Sequence, residues 1–575
     1  MEESASSSTT TTKLGASFAK QVLKGGSRKK NLQVSAATCQ RPQTGRFLGF
    51  TDLVLLGVGG TVGAGVFLLT GIAAARDAGP SVVFSFALAA FVCVLSAFSY
   101  AEMASRLPSC GSAYAFAYST IGELFAFLVG WCLTLEYGIS AAAVARSWAA
   151  HVSEAAQLPK FLHNSSGLSI LAFILVAALT LILCSGMREA KWIIDSASIL
   201  YALVLSLVLI RGLFLTDPSN WTPFAPYGIS GVIAGASTVF FAFVGFDQVA
   251  AVAEETHNPS QTVPKAILTS LLIVFIIYAA SALVLTGMVR YDALDTPAPF
   301  IAAFKERGLL VFARLTAIAT ALGMQNTAMV ALTAQPRIFF AMSRDGLLPE
   351  LFSEVSGPGS APRASSLLCG FGVALLALLV PLQTLTDLVS GGTILALLST
   401  NVAVLYIRLQ VSGHEGDSKI LLTLFVSSCA VASWLSRVMP FKIAGIIVTL
   451  SIVSFPLFLL LRMPFTGEPN PPSFKSPGVP LVQACGIFFN LFLFFRLHTA
   501  ALSMLAVWLV IGFSLYVAYG IRHSLGSAWE RVNSDEIAQR QPNLMFDLRS
   551  SFDSLGEEAI ASEWHHASED IITTE

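Results

Sequence analysis

The sequence predicts an all-α protein that crosses a membrane many times. Three observations predict it. The chain is 54% hydrophobic and only 12% charged over 575 residues, with a mean hydropathy of +0.71. The charges lie between long apolar runs rather than within them. Most runs approach the roughly twenty residues a helix needs to cross hydrocarbon, whereas a β-barrel would show short alternating segments. The net charge of −1 leaves no basic field for nucleic acid. The eight cysteines are scattered without a CxxC pair, and the eight histidines have no metal-ligand spacing. Neither a metal nor another cofactor is expected, and no cleavable signal peptide opens the chain.

Residues 1–46 are rich in Ser and Thr and then basic, with little to bury. They read as a disordered tail, placed in the cytoplasm by the positive-inside rule. About fourteen apolar segments follow, near 48–71, 81–104, 118–148, 168–185, 192–215, 230–251, 265–289, 311–341, 365–382, 385–408, 419–436, 441–461, 479–496 and 499–519. An even number puts both termini on one side. Arg106, Arg188, Lys191, Lys265 and Arg363 are among the basic residues that fall on the side of the N-terminus. Arg290, Lys305, Arg307 and Arg314 oppose the rule. Two sequons, at Asn164 and Asn220, fall on the outer side as possible glycosylation sites, although Pro223 makes the second a poor acceptor. The polar tail 521–575 reads as disordered and cytoplasmic.

The first segment is interrupted by Gly57-Val58-Gly59-Gly60-Thr61-Val62-Gly63-Ala64-Gly65. Each glycine weakens a helix by roughly 1 kcal/mol relative to alanine. A broken helix is tolerable in a bilayer only where protein or a water-filled cavity lines the break. Close helix packing through small residues is the alternative reading. The sixth segment carries a second interruption, Phe240-Phe241-Ala242-Phe243-Val244-Gly245-Phe246-Asp247. Breaks at corresponding positions of two five-helix halves point to an inverted repeat with a central site. The expected organisation is one repeat over 47–217, a second over 218–411 and accessory helices over 412–520.

A break exposes amide N–H groups on one side and carbonyls on the other, which together suit a carboxylate and an ammonium. The substrate carboxylate is placed on the amides near Gly63, Ala64 and Gly65, with Thr61 beside them. The ammonium is placed on the carbonyls of Phe241, Ala242 and Val244. Glu136 lies deep in the third segment, where a carboxyl is costly unless it is paired, protonated or facing water. It suits uptake and release of a proton; the purely structural alternative is a protonated side chain bonded to a neighbouring helix. Asp247 serves either to orient the unwound segment or to touch substrate. Glu102, Glu254 and Glu255, at segment ends, read as gate or interface charges or as a solvated face.

The stretches GVGGTVGAGVFLLTG (57–71), SYAEMASRLPSCGSAYAFAY (99–118), GWCLTLEYGISAAAVARSW (130–148), FFAFVGFDQVAAVAEETHNPSQTVPKAI (240–267), QPRIFFAMSRDGLLP (335–349), LVSGGTILALLSTNVAVLYIRLQ (388–410) and YGIRHSLG (519–526) carry a resemblance. The chain resembles the cationic amino acid transporters of the amino acid–polyamine–organocation superfamily, the plant members above all. The resemblance implies a LeuT-like 5+5 fold, proton-linked uptake of amino acids with basic ones often preferred, and Glu136 as a cavity carboxylate. It does not extend to a lysine that related bacterial members carry in the fifth segment, where this chain has Tyr201. Met324 stands at a position that helps decide how long a side chain fits, and it would shorten the pocket.

The sequence thus points to a multi-pass membrane permease, not an enzyme, for Arg or Lys driven by protons, with sodium a lesser option through hydroxyls such as Thr327 and Thr333. The alternatives are a neutral amino acid or polyamine permease on the same scaffold, or an amino acid sensor with little transport. The plasma membrane and the vacuolar membrane are both compatible.

Overall fold

The computed structural model describes residues 25–30, 46–63, 65–157, 168–294, 298–354, 362–411, 415–438, 443–463, 472–497 and 499–526. Ala64, Asn164, the remainder of the segment 1–46 and residues 527–575 lie outside them. Among the described residues every regular element is a helix, with only an isolated bridge between Leu48 and Thr256. Nine of its helices are long and apolar enough to cross a membrane. Five shorter apolar helices accompany them: Phe50–Thr61, Ile170–Ser185, Arg363–Leu379, Ser451–Leu461 and Leu481–Arg496.

Two groups of helices emerge from the packing. The first span (Phe50–Thr61, then 65–78), the second (Val82–Arg106), the sixth (Gly228–Val239 and its continuation) and the seventh (Pro259–Met288) pack on one another. The third (Glu123–Thr134 through Ser140–Ala155), fourth (Ile170–Ser185), eighth (Leu310–Arg344) and ninth (Arg363–Leu379) form the other group. The fifth span (Met187–Leu213) bridges the first and eighth, and the tenth (Leu382–Val411) bridges the second and third. Polytopic α-helical architecture is therefore the fold.

Local chemistry explains the long eighth span. Pro336 lacks the N–H that would continue the backbone ladder. Arg337 donates to the Thr333 carbonyl at 2.9 Å, and Ser365 of the ninth span donates to the Pro336 carbonyl at 3.0 Å. Side chains thus serve backbone groups near the proline, as a helix in lipid requires.

One of the late helices is bonded into this bundle by polar side chains. The thirteenth span (Leu481–Arg496) is joined to the second and tenth by a buried amide–hydroxyl network. Asn401 and Asn490 both donate to Ser96 at 3.0 Å, Ser99 donates to Asn401 at 2.8 Å, and Gln483 donates to Ser476 at 2.6 Å. Such side chains act as glue between helices in lipid, where apolar contact alone drives little association.

The segment 1–46 has little to bury, yet residues 25–30 pack against the bundle. Lys30 reaches Asp345 at 2.7 Å, and Tyr114 donates to the other Asp345 oxygen at 2.8 Å. Lys29 lies 4.0 Å from the Tyr406 ring centroid. Residues 524–526 meet residue 28 at Glu123: Ser524 donates to its carboxylate and the Glu123 N–H donates to the Arg28 carbonyl. The chain therefore enters and leaves the bundle at the same end. Sequence missed this because the partners are over 300 residues apart in the case of Lys30 and Asp345.

Glu102, Glu254 and Glu255 also depart from a solvated face, since all three are buried. Arg106 and Arg408 both bind Glu102, at 2.7 Å and 2.8 Å, and Arg337 meets Glu255 at 3.1 Å. Glu254 pairs with Arg344 at 3.0 Å. Burial pushes the Glu254 carboxyl up, but Arg344 and the Cys110 N–H outweigh it and hold it below its ordinary range.

Candidate functional site

The first helix runs unbroken through Thr61, and Val62 then leaves it with extended backbone (φ −85°, ψ 92°). Gly57, Gly59 and Gly60 are therefore helical. They are small because neighbours press on them. A Cβ on Gly57 would lie 2.7 Å from the Ser270 hydroxyl, one on Gly59 2.3 Å from the Asn326 amide, and one on Gly60 2.7 Å from the Gln248 amide oxygen. The packing reading holds for these three, and the break itself is shorter than the glycine run.

The second half of the span resumes at Gly65 as a wide turn over Gly65–Leu69. In the sixth span the helix Gly228–Val239 tightens over Phe240–Phe243, turns extended at Val244 and reverses at Gly245 (φ +129°). Only glycine takes that conformation without strain. A Cβ there would also sit 2.8 Å from the Gly60 carbonyl and 2.9 Å from the Thr61 hydroxyl. The two breaks thus touch. A Cβ on Gly65 would lie 2.8 Å from the Ala242 Cβ, which repeats the contact from the other side.

Tyr278 of the seventh span ties the breaks together. Its hydroxyl lies 2.9 Å from the Thr61 carbonyl and 2.7 Å from the Ala242 carbonyl. One proton serves one of these at a time. Sequence reasoning missed Tyr278; the available signal was a polar tip within an otherwise apolar run. Tyr278→Phe leaves both carbonyls without that donor in a buried place, at a cost of about 1–3 kcal/mol. Transport is expected to fall roughly 5- to 150-fold at constant protein level, checked by initial rates in vesicles.

Several predicted contacts are already occupied. The Thr61 hydroxyl donates to the Gly57 carbonyl at 2.7 Å, and the Phe241 carbonyl accepts from the Val244 N–H at 3.2 Å. A Cβ on Gly63 would lie 2.5 Å from the Thr327 hydroxyl, which donates between the Gly59 and Gly323 carbonyls at 3.0 Å each. Thr333 bonds back to Met329 within its own helix. Met324 is fully buried on the eighth span. The next residue back, Gly323, faces the Tyr201 ring, whose carbon would be 2.7 Å from a Cβ there. Asn220 donates its side-chain amide to the Gly287 carbonyl at 2.8 Å, so a glycan on it would disturb that contact.

Glu136 and Asp247 are brought together. Glu136 lies in the wide turn Leu135–Ile139 of the third span. It sits beside Asp247 and Thr393, yet neither carboxylate oxygen makes a hydrogen bond of normal geometry. Asp247, buried, accepts from the Tyr137 hydroxyl at 2.5 Å. Tyr201 is not in this group; it lies on the side of Tyr278.

Comparison with known proteins agrees with the geometry. The family model for amino acid permeases matches residues 48–469, and that for the C-terminus of these permeases matches residues 474–524. The chain is 34% identical to the branched-chain amino acid permease BcaP of Bacillus subtilis, covering 86% of this chain and 98% of that one. It is 36% identical to the chloroplastic cationic amino acid transporter 9 of Arabidopsis thaliana, over 85% and 91% of the two chains. With human cationic amino acid transporter 4 it shares 33%, over 83% and 88%. The two family matches and the relatives over more than four-fifths of the chain, on a multi-pass helical bundle whose first and sixth spans break where they touch, place the chain in the amino acid permease family, among the cationic amino acid transporters of the amino acid–polyamine–organocation superfamily.

Proposed function

We propose that the protein is a proton-coupled permease that moves cationic amino acids by alternating access. The observation that carries the coupling is the pairing of Glu136 with Asp247 beside the sixth-span break. Two adjacent buried carboxyls are costly to charge together, so the pair is suited to hold a proton and to release it when the cavity opens to water. In this reading the amides at Gly63–Gly65 take the substrate carboxylate and the free capacity of the Ala242 and Val244 carbonyls takes the ammonium. The repeats 47–217 and 218–411 move against each other around this midplane site, with both termini cytoplasmic.

A neutral substrate is the second reading, favoured by Met324. Its buried side chain shortens the space available to a long cationic side chain, although methionine bends readily. The printed substrate of the Bacillus relative, a branched-chain amino acid, leans the same way.

The test is uptake of labelled arginine into proteoliposomes, with and without an inward proton gradient at matched membrane potential. Stimulation by the gradient is the expected result. Uptake driven by potential alone would remove proton coupling. Alanine or leucine uptake without arginine uptake would establish the second reading, and no uptake of any of them would leave a sensor.

A further inference from the structure

The third and fourteenth spans meet in a reciprocal tryptophan pair. Trp131 donates its indole N–H to the Trp508 carbonyl at 2.9 Å, and Trp508 donates to the Trp131 carbonyl at 3.1 Å. The rings stack with centroids 4.6 Å apart and planes 14° from parallel. A Cβ on Gly512 would lie 2.4 Å from the Trp131 ring, so glycine makes room for the pair.

The two hydrogen bonds are not equivalent. The Trp131 carbonyl stands just before the wide turn that holds Glu136. An unbroken α-helix would direct the Leu135 N–H to that carbonyl. Instead the Leu135 N–H goes to the Cys132 carbonyl, and the Trp508 indole serves Trp131. The tenth span presses on the same place, where a Cβ on Gly392 would lie 2.6 Å from the Cys132 carbonyl. A side chain that enters the ladder is a recognised cause of such distortion, and wide turns of this kind concentrate at functional sites. The wide turn spreads more residues over one circuit, so that the adjacent Glu136 and Tyr137 both face Asp247. A regular helix turns about 100° per residue; the wide turn rotates less per residue and brings the two side chains closer to one face.

We infer that Trp508, on a helix outside the two repeats, is a positioning residue for Glu136: its indole N–H, by taking the Trp131 carbonyl, sustains the wide turn that aims the carboxyl at Asp247. This rests on the reading of Glu136 as the proton carrier. The groups that face Glu136 are Asp247 from the sixth span, Tyr100 from the second, Thr393 from the tenth, and Cys132 and Tyr137 from its own.

The experiment compares the pH profile of uptake for Trp508→Phe, Trp131→Phe and Glu136→Gln in the full-length protein. Each tryptophan variant loses one ring N–H from the same pair, but only Trp508→Phe strips the Trp131 carbonyl. The midpoint is expected to move by about half a pH unit or more in Trp508→Phe and to stay in place in Trp131→Phe. Trp508→Phe added to Glu136→Gln should change nothing further in the profile, since coupled positions do not add. If Trp508→Phe is poorly made, benzothienylalanine at 508, which keeps the ring and lacks the N–H, takes its place. Equal shifts in both tryptophan variants, or none in either while Glu136→Gln is flattened, would overturn the positioning role alone. A wild-type profile in Glu136→Gln would overturn the coupling reading and the positioning role together.

Discussion

Replacing Gly65 by valine is expected to abolish amino acid binding. The first added carbon alone would stand 2.7 Å from the Tyr278 hydroxyl and 2.8 Å from the Ala242 Cβ, with the Ala242 Cα at 3.2 Å. Two of these contacts belong to the backbone and first carbon of the sixth-span break, so no flexible side chain can swing away to admit it. The two further methyl groups of valine push the breaks apart, and overpacking of this kind costs about 1–3 kcal/mol even where the site can adjust. At this position the damage also falls on amides that are read as the carboxylate contact. A loss of 100-fold or more in affinity is expected by equilibrium binding to purified protein. Gly57→Ala provides the contrast: it clashes with Ser270 within the helix, away from the break, and should lower thermal stability while leaving affinity within about threefold. Undiminished binding by the Gly65 variant would remove the first break from the substrate site.

Glu136→Gln should flatten the pH dependence of uptake. The substitution keeps the size of the side chain and removes its ability to carry a proton. In a proton-coupled carrier, uptake rises as the outside becomes more acidic; with the carrier group gone, that rise is lost. Counterflow, which needs no net proton movement, should persist, because Glu136 faces Asp247 and Thr393 rather than the paired carbonyls of Thr61 and Ala242. A variant that retained the acid-stimulated uptake of the parent protein would place the coupling group elsewhere.

Hydropathy and glycine placement are local properties, and they were legible. The apolar runs marked the helices, the glycine-rich stretch marked the first break and the Gly245–Asp247 pairing the second, and the buried carboxyl of Glu136 stood out because charge at membrane depth is expensive. Within the first break the reading was too generous: Gly57, Gly59 and Gly60 remain helical and are small for the sake of Ser270, Asn326 and Gln248. Nothing in a glycine run separates the residues that unwind from those that pack, because the difference lies on the facing helix.

The sequence by itself determined that this chain is a many-helix membrane protein, where its two helices break, and which carboxyl sits unusually deep. Only the tertiary structure decided what meets at those points. It placed Tyr278 between the two breaks, Asp247 beside Glu136, Arg408 on Glu102, residues 25–30 against the bundle and Trp508 on the third span. The physical reason is that a helix hides its backbone from lipid with bonds of its own, so its position follows from local composition. A buried polar side chain must find its partner on another helix, and which helix that is depends on how the faces pack.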